Sequence, residues 1–144
     1  SGGQLADTGL VLSGENETAE VLDVQKPVGK VFYHKVRLLS PVKKGQEFRL
    51  AVDGLKRRKT AANHTATHLL NAALKKVFGE NTRQAGSLVS DEKFRFDYTI
   101  SKTPSGSEII EVEKMANAAI LEGYRVFKQT RPLADAESLG GEDA

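Results

Sequence analysis

Cysteine is absent from the 144 residues. That excludes a disulfide framework and any thiolate-based metal site within the chain. Long apolar runs are absent as well. None approaches the ~20 residues needed to span a bilayer, so no membrane partner is expected. A hydrophobic fraction of 39% beside 28% charged residues describes a soluble globular chain. The amino terminus, SGGQLADTG, lacks a basic segment followed by an apolar one, so it does not read as a secretory signal. A cytoplasmic location is compatible with these features. There is no initiator methionine, and an excised piece of a longer protein is therefore expected. Net charge is only +2, too little to demand a nucleic-acid partner, so local clusters must carry that argument. No internal repeat or low-complexity tract is present.

Histidine is scarce, three in all, and two of them fall in residues 60–78, TAANHTATHLLNAALKKVF. This stretch reads as a helix. Residues four apart sit roughly 40° apart around a helix axis. Thr60, Thr67, His68 and Asn71 therefore lie within about 60° of His64. Ala62, Ala66, Leu69, Leu70, Ala73, Leu74 and Val77 centre on the opposite side. A solvated helix face normally carries Lys, Glu or Arg. From Thr60 to Leu74 the histidine face has only Thr, His and Asn, which suits a covered site better than open water. It is the candidate active surface.

Before this helix, residues 10–12, 21–24, 31–39 and 48–52 are short β-prone runs, separated by SGENET, QKPVGK and SPVKKGQ. Phe48, Leu50 and Val52 alternate with polar or small residues, as in a strand with one buried face. Strands this close together predict a small antiparallel β-barrel over residues 1–55. LKRRK, 55–59, then leads into the helix, which stops near Gly79. Phe94, Phe96 and Tyr98 alternate through FRFDYT as a strand. Ser107 is expected to cap a second helix over 108–122, followed by a strand over 124–130 and a short helix opened by Pro132. The fold class is α+β. Residues 56–144 are expected to lay helices on a mostly antiparallel sheet.

HxxxH on a helix lets two imidazoles converge on one metal ion. The same spacing also fits two incidental histidines. A zinc protease of the HExxH type needs Glu after the first His, and here that residue is Thr65. Zinc takes three or four ligands, no cysteine is present, and His34 lies in the strand region. In QAGS, Gly86 permits close backbone approach, while Gln84 and Ser87 offer donors and acceptors to a small polar substrate. A plain turn before a strand is the other reading. Lys56, Arg57, Arg58 and Lys59 suit a nucleic-acid backbone or a solvated linker, and Asp97 a surface position.

Together these segments resemble a known family. NHTATHLL, then QAGSLV, then FRFDYT, looks like the editing domain of alanyl-tRNA synthetase. SGGQLADTG is similar to the segment that enters that family's small barrel beside the editing site. RRKTAANHTATHLL is similar to its junction of barrel and helix, and EVEKMANAAILEGYRVFKQTRPLADAESLG to the elements that follow. The resemblance covers essentially the whole chain in order. It implies hydrolysis of tRNA(Ala) mischarged with serine or glycine. It implies a Zn2+ ion held by His64 and His68 together with a Cys and a His of a later CxxxH segment, which this chain does not contain. Two histidines alone are expected to bind zinc weakly. The resemblance further implicates Gln84 in editing; with the polar helix face and QAGS, the expected catalytic groups are Gln84 and Thr67, and the expected substrate contacts are Thr65, Ser87, Gly86 and Asn71. Lys56 to Lys59 would hold the tRNA(Ala) acceptor end, and the rest of the synthetase chain is the other expected partner. Whether the metal activates water or orients the substrate stays open. The alternatives are a freestanding trans-editing deacylase, which shares HxxxH, and a non-catalytic RNA-binding module.

Overall fold

The computed structural model describes residues 3–127 together with Thr130 and Pro132. Its first half is built on hairpins. Strand β1 (Gly9–Ser13) turns through Gly14, at φ +64, into β2 (Asn16–Val28), which turns through Gly29, at φ +54, into β3 (Val31–Leu38). Strand β4 (Arg49–Val52) returns to the free side of β1, so the antiparallel order is β3-β2-β1-β4. β2 runs well beyond the expected 21–24. Its far end, including Pro27, pairs only with β3 and lies at a register shift, where a residue without an N–H is tolerated.

The sheet is open. β3 and β4 are not paired with each other among the described residues, so the expected closed barrel is not formed. The burial expected for β4 also fails. Leu50 and Val52 are about half exposed, and of the three alternating residues Phe48 alone packs on the small core of Val11, Ala19 and Val21, beside Val24 and Val36. Alternation correctly marks a strand, but burial needs a layer over it, and no described element covers that face.

The second half packs helix α1 (Gly54–Phe78) and helix α2 (Gly106–Glu122) against a hairpin of β5 (Arg83–Val89) and β6 (Phe94–Thr99). Ala73 and Leu74 of α1 and Val112 of α2 form the buried centre, joined by Phe96 and Tyr98. α1 begins earlier than expected. Asp53 caps it, its carboxylate accepting from the backbone N–H groups of Leu55 and Lys56 at 3.0 Å. LKRRK is therefore the first turns of the helix and not a linker. The strand expected over 124–130 is not present over its described residues, which show no strand pairing; Tyr124, Val126 and Phe127 are largely exposed. The short helix expected after Pro132 lies outside the described residues.

α2 is capped by Ser105, two residues before the expected Ser107. Glu108 reaches back to the Ser105 N–H at 2.9 Å while the Ser105 hydroxyl accepts from the Glu108 N–H at 3.3 Å, a reciprocal capping box. The Lys102 ammonium, with the Ser105 backbone and hydroxyl, lowers the Glu108 carboxyl to about 2. Because the folded-state value lies below the ordinary 4.5, this contribution is present above that value. It is lost as pH falls through about 2. The Glu108 side-chain carbon resonance, followed by NMR, is expected to titrate well below the ordinary glutamate value of 4.5. Lys102→Met is expected to move it back up.

Several large apolar side chains stand open to solvent. Ile109, Ile110 and Leu121 of α2 and Phe32 and Tyr33 of β3 are all more than half exposed.

Candidate functional site

The two helix histidines meet as the spacing requires. Their rings stack with centroids 5.2 Å apart and planes 17° from parallel. His64 is partly buried and His68 exposed. Burial, and after it the charges of His68 and Arg57, push the His64 imidazole below its ordinary value. His64 is therefore neutral at neutral pH.

The rest of the polar face is less open than its composition suggests. Thr67 is buried, and its hydroxyl donates to the His64 carbonyl at 2.7 Å. Thr60 is buried too and donates to the Lys56 carbonyl at 2.9 Å. Both hydroxyls are occupied within the helix. Thr65 is exposed, donating to the Ala61 carbonyl at 3.1 Å. Asn71, two turns beyond His64, holds its Oδ1 atom buried without a hydrogen-bond partner. Leaving a buried acceptor unfilled costs about 1–3 kcal/mol, and a ligand donor would relieve it.

On β5, the Gln84 amide donates to the Ser87 hydroxyl at 3.1 Å. The register shifts between Gln84 and Gly86, so a bulge separates these residues. A Cβ on Gly86 would lie 2.9 Å from the Asp97 carboxylate, so a side chain there would push that carboxylate aside. Asp97 is half-buried and paired with Arg95 at 3.1 Å.

Sequence reasoning missed the segment that joins the histidines to β5. Residues 3–5 lie alongside Val89 as a short parallel bridge. The Val89 N–H donates to the Gly3 carbonyl at 2.8 Å, and the Leu5 N–H to the Val89 carbonyl at 2.9 Å. Between those two bonds, Gln4 sends its amide oxygen to His64 Nδ1 at 2.6 Å. Gly3 sits directly on Ser87, where a Cβ would be 2.3 Å from the hydroxyl oxygen. One continuous strap thus links His64, Gln4, Gly3, Ser87 and Gln84. Asn63, also unforeseen, ties the helix to the β5–β6 turn through the Ser90 carbonyl at 2.8 Å. The likeness of SGGQLADTG to the family's segment beside the editing site placed the segment near the site, but the turn-like GGQ, with no periodicity, gave no sign of the contact with His64.

Past the strap lies a cleft of about 440 Å³ lined by Gln4, Asp7, Lys26, Phe32, His34 and Arg57 among others. Arg57 is held there by Asp7, its Nη1 atom lying 3.2 Å from both carboxylate oxygens. Lys56, Arg58 and Lys59 have no described ion-pair partner; Arg58 and Lys59 are exposed, and Lys56 is partly so.

Two imidazoles four residues apart suit two corners of a tetrahedral zinc shell. No group of three or more His, Cys, Asp or Glu among the described residues is arranged to hold a metal ion. These residues do not complete a shell, and no chemical step is derived through one. No helix among them is long and apolar enough to cross a membrane.

No family model matches the chain. Curated relatives do, and they are ligases of the aminoacyl-tRNA synthetase class. The alanine–tRNA ligase of Elusimicrobium minutum is 42% identical over 139 residues, 96% of this chain. That of Listeria innocua is 44% identical over 141 residues, 97% of the chain. The chloroplastic/mitochondrial enzyme of Ostreococcus lucimarinus is 39% identical over 142 residues. The chain belongs to the alanyl-tRNA synthetase family, and it spans 16% of the length of these relatives.

Proposed function

We propose that this chain is the editing region of an alanyl-tRNA synthetase, which hydrolyses the ester linking serine or glycine to tRNA(Ala). The observation that carries the reading is the strap. It ties a neutral, partly buried histidine on a face of short polar residues to the Gln84–Ser87 pair on β5. A synthesis pocket that accepts alanine rejects an added hydroxyl only about 10²-fold. A second site that hydrogen-bonds the hydroxyl reverses the preference, because alanine would leave its polar groups unpaired. Thr65, Gln84 and the unfilled acceptor of Asn71 are the groups available for that. Zn2+ would take His64 and His68 as two of its ligands, the others coming from outside the described residues. When bound it would supply Lewis acidity at the ester or its attacking water. The decisive assay is serine release from Ser-tRNA(Ala) by this chain and by the full-length protein. No release above the buffer rate by either sinks the reading.

The basic start of α1 supports an RNA partner. Four cations crowd the first turns at the positive end of the helix dipole, an arrangement that the Asp53 cap and Asp7, paired with Arg57, offset only in part. An anionic phosphate nearby would reverse that penalty. With Lys26, His34 and Arg57 on the adjacent cleft, they make a binding surface for the acceptor end. Each of Lys56→Gln, Arg58→Gln and Lys59→Gln is expected to lower the slope of log affinity against log salt by about 1. An unchanged slope would remove these residues from the interface. Binding with no serine release would favour a non-catalytic RNA-binding module.

A further inference from the structure

We infer that Gln4 is the positioning residue of His64, its amide oxygen holding the imidazole in the Nδ1–H tautomer and leaving Nε2 with its lone pair. The inference deepens the editing reading, resting on it for the chemistry of that lone pair, but the tautomer stands or falls by itself. An amide oxygen can only accept, so the 2.6 Å contact requires the ring nitrogen facing it to donate. Free neutral imidazole favours the opposite tautomer, with the proton on Nε2. A ring whose Nε2 must act as base or ligand therefore needs an acceptor at Nδ1, the role carboxylates and carbonyls play behind metal-bound histidines.

Gln4 can do this because its backbone is fixed on both sides. Gly3 and Leu5 bond to Val89 at 2.8 and 2.9 Å, and three residues on, Asp7 is clamped by Arg57. The next residue, Thr8, accepts from the Asp53 N–H at 2.9 Å, at the cap of the helix that carries His64. The segment is thus tied to β5 and to α1 at once. Its side chain crosses a gap whose width the backbone sets. His68, stacked on His64, is the other ring at the site.

The test is the pair of ring-nitrogen shifts of His64 in a long-range 15N–1H NMR spectrum, taken at about pH 8, above the ordinary histidine range. The unsubstituted chain is expected to show the proton on Nδ1. Gln4→Ala is expected to return His64 to the Nε2–H form. Gln4→Glu, which keeps an acceptor that cannot turn round, is expected to restore Nδ1–H. An unsubstituted chain with the proton on Nε2 would mean the amide presents its NH₂ group, and the inference is wrong. Nδ1–H persisting in Gln4→Ala would overturn it equally. If Gln4→Ala does not fold, the unsubstituted chain and Gln4→Glu decide, both being expected as Nδ1–H. In the full-length protein, Gln4→Ala is expected to lower kcat for serine release about tenfold or more with KM unchanged. Absent release in the unsubstituted protein would sink the editing reading while leaving the tautomer result intact.

Discussion

Replacing His64 with alanine is expected to slow serine release from mischarged tRNA(Ala) by roughly 10²–10⁴-fold, the usual worth of a positioned base or ligand histidine. Three observations set the size. The ring is neutral at neutral pH because burial and the charge of His68 disfavour its protonation. It has a dedicated acceptor in Gln4. It also stacks on the second imidazole, so its loss removes two contacts and a lone pair together. The effect should fall on kcat. The cations at the start of α1 make the proposed phosphate contacts and are untouched, so KM should hold. Glu111→Gln, on the exposed side of α2, is the control and should leave the rate alone. Because His64 is only partly buried, circular dichroism and thermal unfolding should change little. An unchanged serine-release rate in His64→Ala would remove the polar face of α1 from the chemistry.

The parts legible in the sequence were those set by local period. Helix α1 announced itself by its apolar stripe, β6 by Phe94, Phe96 and Tyr98, and the hairpin turns by Gly14 and Gly29 at positive φ. The meeting of His64 and His68 followed from the four-residue spacing alone. What could not be read was anything decided by distant partners. Closure of a sheet depends on whether its two edge strands reach one another, and β3 and β4 do not. Leu50 and Val52 alternate correctly but lack a covering layer. Ser105 outcompeted Ser107 for the cap of α2 because its spacing to Glu108 completes the reciprocal box. Gln4 contacts a residue sixty positions away, and no windowed pattern carries that information.

The polar face shows the same division in finer detail. Composition placed Thr60, Thr67 and Asn71 beside the histidines, and helical geometry does put them there. Composition could not show that the two threonine hydroxyls turn back on their own helix, whereas the Asn71 oxygen stays unpaired. The difference is chemical. A β-hydroxyl lies within reach of the carbonyl three or four residues earlier. The Asn71 amide oxygen, an acceptor, finds no donor there. The face therefore keeps one unfilled acceptor in reserve, next to the exposed imidazole of His68.

Gly3→Ala tests how far the site depends on the strap, and its expected effect is the loss of the strap altogether. Gly3 has φ +77, a conformation that costs a non-glycine residue about 1–2 kcal/mol. An added Cβ would also lie 2.4 Å from the Ser87 carbonyl oxygen, a backbone atom that cannot swing aside. Relief requires breaking the two bonds to Val89, each worth about 0.5–1.5 kcal/mol. The strain and the backbone clash together act against those two bonds, and a strap of a few residues held by two bonds gives way. The readout is amide hydrogen exchange at Val89, whose N–H donates to the Gly3 carbonyl; it should lose protection while Leu74 in the core keeps its own. Gly14→Ala is the comparison. Its φ of +64 carries the same backbone strain, yet nothing lies within 4 Å of the new Cβ. It should therefore cost only the strain, about 1–2 kcal/mol, and leave Val89 protected. With the strap released, Gln4 no longer reaches His64. Serine release should then fall in Gly3→Ala as is expected for Gln4→Ala, although the added methyl touches neither histidine. Full protection at Val89 in Gly3→Ala would show that the strap tolerates a side chain there, and the coupling from β5 to the helix would have to run through Asn63 and Ser90 instead.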